Sequence, residues 1–303
     1  MKFDLNGEDK PEYVVSSDTD SLFVNIGKIL KHTHPNLDIN NKDECLPIVR
    51  QYQKEIGTKL NNQQTIIAKN ILNADEHFFD LKPEYILKKA YWSGKRRYAQ
   101  HMVDKEGMEI DKFVMMGLDI MKSNFPKYFR NFGEELIKKI LLNTPKNEID
   151  KYVMNFKKSI GEVEWKKLLK PVGIKKLDEY IESPPKTGEI FSKLKLKCPV
   201  NTKAAIQSND LIRFKKLQKE YPEFTVGDKL YMAMLKPNPY KIDVVALNGY
   251  NDPPFILEIV EKYLDKSGIF DSVMRNKLEG VYKDLGWSLQ LNEFVNKFFT
   301  FGD

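Results

Sequence analysis

Short apolar runs separated by polar turns open the chain, and helical spacing takes over behind them. Val14-Val15 lead into Ser16-Ser17-Asp18-Thr19-Asp20, and Leu22-Phe23-Val24 lead out. β-branched and aromatic residues favour strands while Ser and Asp favour turns, so Glu12 to Ile26 predicts a short hairpin tipped by Asp18-Thr19-Asp20. His32 to Lys42 reads as a polar loop. Between Glu44 and Leu72, Ile48, Tyr52, Ile56 and Leu60 recur at helical spacing, and Ile66-Ile67 with Ile71-Leu72 continue it. This predicts two scaffold helices, separated at Gly57 and Asn61-Asn62. Phe78 to Lys82 and Tyr85 to Tyr91 predict strands about a turn at Pro83. A further strand-like run, Lys95 to Val103, ends at the turn Asp104 to Gly107, and Phe113 to Ile120 is again apolar.

The second half is mostly helical in pattern. Ser123 or Asn124 with Pro126 marks a helix start, and Tyr128 to Leu142 is amphipathic. Thr144 to Lys170 reads as helical until Pro171-Val172-Gly173 breaks it, and Ser183 to Gly188 is a loop. Lys193, Lys195 and Lys197 alternate with Leu194, Leu196 and Cys198, a period of two that puts three lysines on one face of an extended stretch. A helix is predicted from Ala204 to Tyr221, a hairpin from Phe224 to Leu247 around Pro237-Asn238-Pro239, and helices to about Asn292. The order of elements predicts an α+β fold: hairpins and packed helices first, then a mainly helical region containing a β-hairpin.

Composition narrows the class. The 303 residues are 41% hydrophobic and 30% charged, a globular balance with room for two domains. No apolar run approaches a membrane span, and the leader MKFDLNGEDKPEY is too polar for a signal peptide. Cys45 and Cys198 have no metal-ligand spacing, which points to a reducing, cytoplasmic setting. His32, His34, His77 and His101 form no zinc signature. The net charge of +6 conceals an asymmetry. Residues 1–80 carry 9 cations against 13 acids, residues 151–220 carry 17 against 8, and residues 221–303 return to 9 against 12. A basic middle behind an acidic hairpin suits a polyanion track beside a metal site; the competing reading is a solvated lysine-rich surface.

Two stretches carry candidate chemistry. On extended backbone Asp18 and Asp20 face the same way, and two hard carboxylates at one spot suit Mg²⁺. Strand–DxD–strand also occurs in glycosyltransferases that hold a nucleotide sugar through a divalent cation. In Lys95-Arg96-Arg97-Tyr98 three cations abut an aromatic. Such a cluster binds phosphates, with Tyr98 packing on a sugar or donating to the backbone; an exposed edge strand protected by charge is the alternative. The tail, Asn292 to Asp303, carries Phe298, Phe299 and Phe301, which either fold back on the core or dock in an apolar groove of a partner.

In this order the pieces resemble the C-terminal part of a family B DNA polymerase, nearest the T4-type phage replicative enzymes. SSDTDSLFV resembles motif C, the hairpin carrying palm carboxylates, and GKRRYA resembles the KKxY box, matching at Lys95, Arg96 and Tyr98 with Arg97 at the variable position. MGLDIMKSNFPK resembles the palm-to-thumb segment, which includes Lys122 and Ser123. LKCPVNTKAAIQSN and VGDKLYMAMLKPNP resemble thumb segments, and LDKSGIFDSVMRNKLEGVYKDLGW followed by FFTFGD resembles a C-terminus ending in a sliding-clamp-binding peptide.

The resemblance implies a partial antiparallel-sheet palm over residues 1–120, a thumb over 121–292 that grips product duplex, and a clamp-binding tail over 293–303. It implies nucleotidyl transfer with two Mg²⁺ ions, Mn²⁺ being possible, Asp20 the principal ligand and Asp18 secondary. Thr19, Lys95, Arg96, Arg97, Tyr98, Lys122, Ser123, Lys193, Lys195, Lys197 and Lys203 are the expected DNA contacts, and Phe298, Phe299 and Phe301 the clamp contacts. Primer–template DNA, dNTP and a sliding clamp are the expected partners, in the host bacterial cytoplasm if the gene is a phage's. The family also needs a motif A aspartate, a nucleotide-binding helix and usually an exonuclease, all upstream of motif C. Only a short leader precedes Asp18 here, so the expectation is a split polymerase completed by an N-terminal polymerase/exonuclease chain. A truncated gene and a catalytically silent duplex-DNA-binding subunit are the alternatives.

Overall fold

The computed structural model describes residues 13–18, 21–121 and 125–290, with the backbone but not the side chain of Asp18 and Met121. It is a mixed α and β protein whose sheets are small and antiparallel, as the pattern predicts. In chain order the elements are β1 (Val14–Asp18), β2 (Ser21–Val24), α1 (Ile26–Thr33), α2 (Lys42–Asn70), β3 (Tyr85–Gly94), β4 (Arg97–Lys105) and β5 (Met108–Met116). Then follow α3 (Lys127–Leu141), α4 (Lys146–Ser159), β6 (Lys170–Gly173), β7 (Ile181–Ser183), β8 (Lys193–Leu194) and α5 (Val200–Phe214). The last are β9 (Lys229–Met234), β10 (Val244–Leu247), α6 (Pro254–Tyr263), α7 (Lys266–Phe270), a π-helical turn at Asp271–Arg275 and α8 (Asn276–Asp284). The chain divides into two compact units, Met1–Ala90 with Gln100–Val114, and Tyr91–Ala99 with Met115–Asp303.

In the first unit β1 and β2 pair antiparallel, Asp18 opposite Ser21 and Ser17 opposite Leu22. Asn25 starts α1, its side chain accepting from the Lys28 amide, so helix fills the stretch between the predicted hairpin and the predicted loop and takes His32 and Thr33 from that loop. One helix of 29 residues, α2, replaces the two predicted. The reason is Asn61. Its amide nitrogen donates to Asp80 Oδ1 and the Leu81 carbonyl, and its oxygen accepts from the Leu81 amide at 2.8 Å. An Asn whose polar atoms are engaged elsewhere does not compete for its own helix backbone. The same bonds satisfy Leu81 without a sheet ladder, so Phe78 to Lys82 is an irregular segment laid on α2 rather than a strand. Leu46 and Val49 of α2 pack on Ile86 and Val103. Arg50 pairs with Asp104, which is 2% exposed and also accepts from the Gly107 amide. Ile66, Ile67, Ile71 and Leu72, expected in the scaffold, are exposed instead.

Among the described residues the second unit packs in two places. Phe132 of α3 stacks on Phe156 of α4 with centroids 3.8 Å apart, and Phe129, Tyr128 and Phe270 surround that pair. α4 stops at Ser159 and gives way to 3₁₀ turns, short of the helix predicted to Lys170. Lys170–Gly173 is not simply a breaker; it forms β6, the edge of a sheet ordered β10-β9-β6. An edge is where Pro171 is tolerated, because its missing N–H is not needed for a ladder. α5 lies against β10, and Ile174, Ala205, Ile206, Leu230, Val244 and Ala246 make the second core. α5 ends seven residues before the predicted Tyr221: Lys216 turns left-handed at φ +57° and the Leu217 amide closes back on Ile212.

Candidate nucleic-acid interface

The acidic hairpin forms as its β-prone flanks require. Its strands join through Thr19 and Asp20, which lie outside the described residues, as do Lys122, Ser123 and the tail residues Phe298, Phe299 and Phe301. Among the described residues no three His, Cys, Asp or Glu side chains gather into a metal-binding cluster. The Asp18 side chain and Asp20 are not among the described residues, so that absence does not bear on them; carboxylate oxygens are the hard donors that Mg²⁺ takes.

The cationic stretch is described in full. Lys95 and Arg96 form the turn joining β3 to β4, and Arg96 takes a left-handed φ of +57°. β4 is the middle strand of a sheet ordered β3-β4-β5. That overturns both the strand-like reading of Lys95-Arg96 and the edge-strand alternative, since a central strand has no edge to protect. Lys95, Arg96 and Arg97 are exposed, and the Tyr98 hydroxyl donates to Met116 Sδ at 3.3 Å. Three cationic side chains are thus presented at one tight turn, a geometry that suits a phosphodiester backbone, while the Tyr98 hydroxyl is taken by Met116.

The lysines expected on the second half are less uniform. Only Lys193–Leu194 is strand; the Lys195 amide still bonds the Tyr180 carbonyl, but Cys198 then turns back to the Lys195 carbonyl. Leu196 and Lys197 sit in that turn, so the three lysines do not share one extended face. Lys193 pairs with Glu182 at 2.7 Å and Lys203 with Asp243 at 2.7 Å. Lys195 and Lys197 are exposed. Of the four, these two have no ion-pair partner among the described residues.

Around the cationic turn the structure gathers residues that no spacing in the sequence announces. The Tyr91 hydroxyl donates to Asp284 Oδ2 at 2.6 Å. Asp119 Oδ2 lies 4.0 Å from Arg97 and 3.8 Å from Lys277. Gly117 has a φ of +64°, and a Cβ there would overlap the Arg96 carbonyl oxygen. Burial, then the Asp284 bond, pushes the Tyr91 phenol well above its usual range, which keeps it a hydrogen-bond donor. With partners 193 residues apart in sequence, no local motif could have found this constellation.

No protein-family model matches the chain. A search of curated proteins finds 26% identity over 151 residues to the DNA-directed DNA polymerase of Escherichia phage RB69, covering 45% of this chain. The match spans 16% of that polymerase's length. The chain is thus partly similar to a phage DNA polymerase, in line with the polymerase resemblance of its motifs. Among the described residues no helix is long and apolar enough to cross a membrane.

Proposed function

We propose that this chain supplies the C-terminal part of a family B-type DNA polymerase, with motif C in the β1–β2 hairpin. The observation that carries this reading is the 26% identity to a phage DNA polymerase. The hairpin at the DxD and the exposed cationic turn support it. Asp20, with Asp18 secondary, would help hold two Mg²⁺ ions, of which one would lower the pKa of a primer 3′-hydroxyl and the other would neutralise charge on the leaving pyrophosphate. Lys95, Arg96 and Tyr98 hold the primer strand near its end, while the basic region 151–220, Lys195 and Lys197 foremost, grips the product duplex. Phosphate contacts of this kind carry no base preference, which a replicative enzyme requires. Phe298, Phe299 and Phe301 dock on a sliding clamp. The second metal-binding aspartate, the nucleotide-binding helix and any exonuclease that this reading requires belong to polypeptide other than these 303 residues, in the same chain or in a partner.

The test is Mg²⁺-dependent primer extension by the chain alone, with the candidate upstream polymerase polypeptide, and with that polypeptide plus Asp20→Ala. Extension by the pair, lost in the variant, is expected. Extension by the chain alone would mean that all the needed carboxylates lie within it. Duplex binding with no extension in any mixture would replace this reading with a catalytically silent DNA-binding subunit.

A further inference from the structure

The turn that carries Lys95 and Arg96 is the end of a hairpin, and long cationic side chains on such an end cost conformational entropy when they settle on a phosphate. The second unit contains a device that removes some of that freedom. Tyr91 lies four residues before Lys95 on β3 and is tied to Asp284 at the end of α8. Lys277, seven residues earlier on α8, faces Asp119, which also faces Arg97. Residues seven apart share a helix face, so one face of α8 meets β3 at Tyr91 and, through Asp119, faces Arg97 beside the turn. Gly117, two residues before Asp119, lets the Arg96 carbonyl approach as no residue with a Cβ would.

We propose that α8 sets where the turn's cations stand, with Tyr91, Asp119 and Asp284 acting as positioning residues for DNA held at Lys95, Arg96 and Tyr98. This rests on the polymerase reading of the turn. None of the three touches DNA in this scheme; each acts through the turn. The two ion pairs of Asp119 are long and partly exposed, so the Tyr91–Asp284 hydrogen bond carries the larger share.

The experiment uses the full 303-residue chain and a fluorescein-labelled primer–template duplex, with affinity read by anisotropy across a salt series. Tyr91→Phe removes one hydroxyl and keeps the ring. It should weaken binding about threefold to tenfold, the range one hydrogen bond spans, and Asp284→Ala should match it. Asp284→Asn, which keeps an acceptor, should recover most of the loss. The deciding step is a double-mutant cycle: in a Lys95→Ala/Arg96→Ala background Tyr91→Phe should have no further effect. Asp119→Asn, at a half-buried site, provides a second cycle against Arg97→Ala, the cation of the turn that it faces, with a loss of about twofold that vanishes in that background. Equal losses in both backgrounds, or none in either, would overturn the positioning role while leaving the turn a DNA contact. Should Lys95→Ala/Arg96→Ala itself leave affinity and salt slope unchanged, the turn is no DNA contact and the positioning proposal goes with it.

Discussion

Ser208→Ala removes one oxygen from the centre of the second unit, and the structure says how much that oxygen matters. Ser208 is fully buried on α5. Its hydroxyl donates to the Ala246 carbonyl at 3.0 Å and accepts from the Ala246 amide at 2.8 Å. Ala246 lies on β10, an outer strand of the β10-β9-β6 sheet, so the side of β10 away from β9 has no strand to complete its ladder. One serine substitutes for that missing strand. Alanine would leave a buried N–H and a buried C=O unpaired, at about 1–3 kcal/mol each. Both groups sit in the core that Ala204, Ala205 and Ile206 line. The expected loss is about 2–4 kcal/mol, allowing for partial relaxation. Urea unfolding of the full chain checks it: the midpoint should fall while the slope stays constant, since the surface exposed on unfolding is unchanged. A loss below about 0.5 kcal/mol would show that the Ala246 groups find other partners and that the hydroxyl is not what closes this edge.

Two further predictions concern polar groups that hold irregular segments. Asp210 is 1% exposed and accepts from both the amide and the hydroxyl of Ser192. Burial raises its pKa above the ordinary 3.8 despite those bonds. A raised carboxylate binds its proton more tightly when folded, so stability should fall as pH rises from about 3.8 through the higher folded value, then level off. Asp210→Asn should abolish that slope, read by thermal melts between pH 3 and 7, whereas Asp210→Ala should cost about 1–3 kcal/mol by orphaning the Ser192 amide; an unchanged slope in Asp210→Asn would assign it to another group. Asn61→Ala should release the Asp80–Leu81 segment from α2, costing about 1–2 kcal/mol and accelerating amide exchange at Leu81; full protection there would refute the role given to Asn61.

The sequence determined what depends on near neighbours. The DxD hairpin follows from Val14-Val15, Leu22-Phe23-Val24 and the turn residues between them, because strand and turn preferences act over a few residues. The β9–β10 hairpin and the amphipathic helix α3 were legible for the same reason. The carboxylate and cation clusters could be read as chemistry because their members are adjacent in the chain. Tertiary structure decided the rest. Whether Asn61 breaks a helix depends on Leu81 arriving to take its hydrogen bonds, and Pro171 becomes a strand residue only because a sheet edge is there to receive it. The lysine alternation at Lys193, Lys195 and Lys197 is real in sequence, but β8 ends at Leu194 and the chain turns. Charge counting could not tell Lys195, left exposed, from Lys203, held by Asp243. Tyr91 and Asp284 meet across 193 residues, and a contact of that separation is fixed by packing rather than by any local pattern.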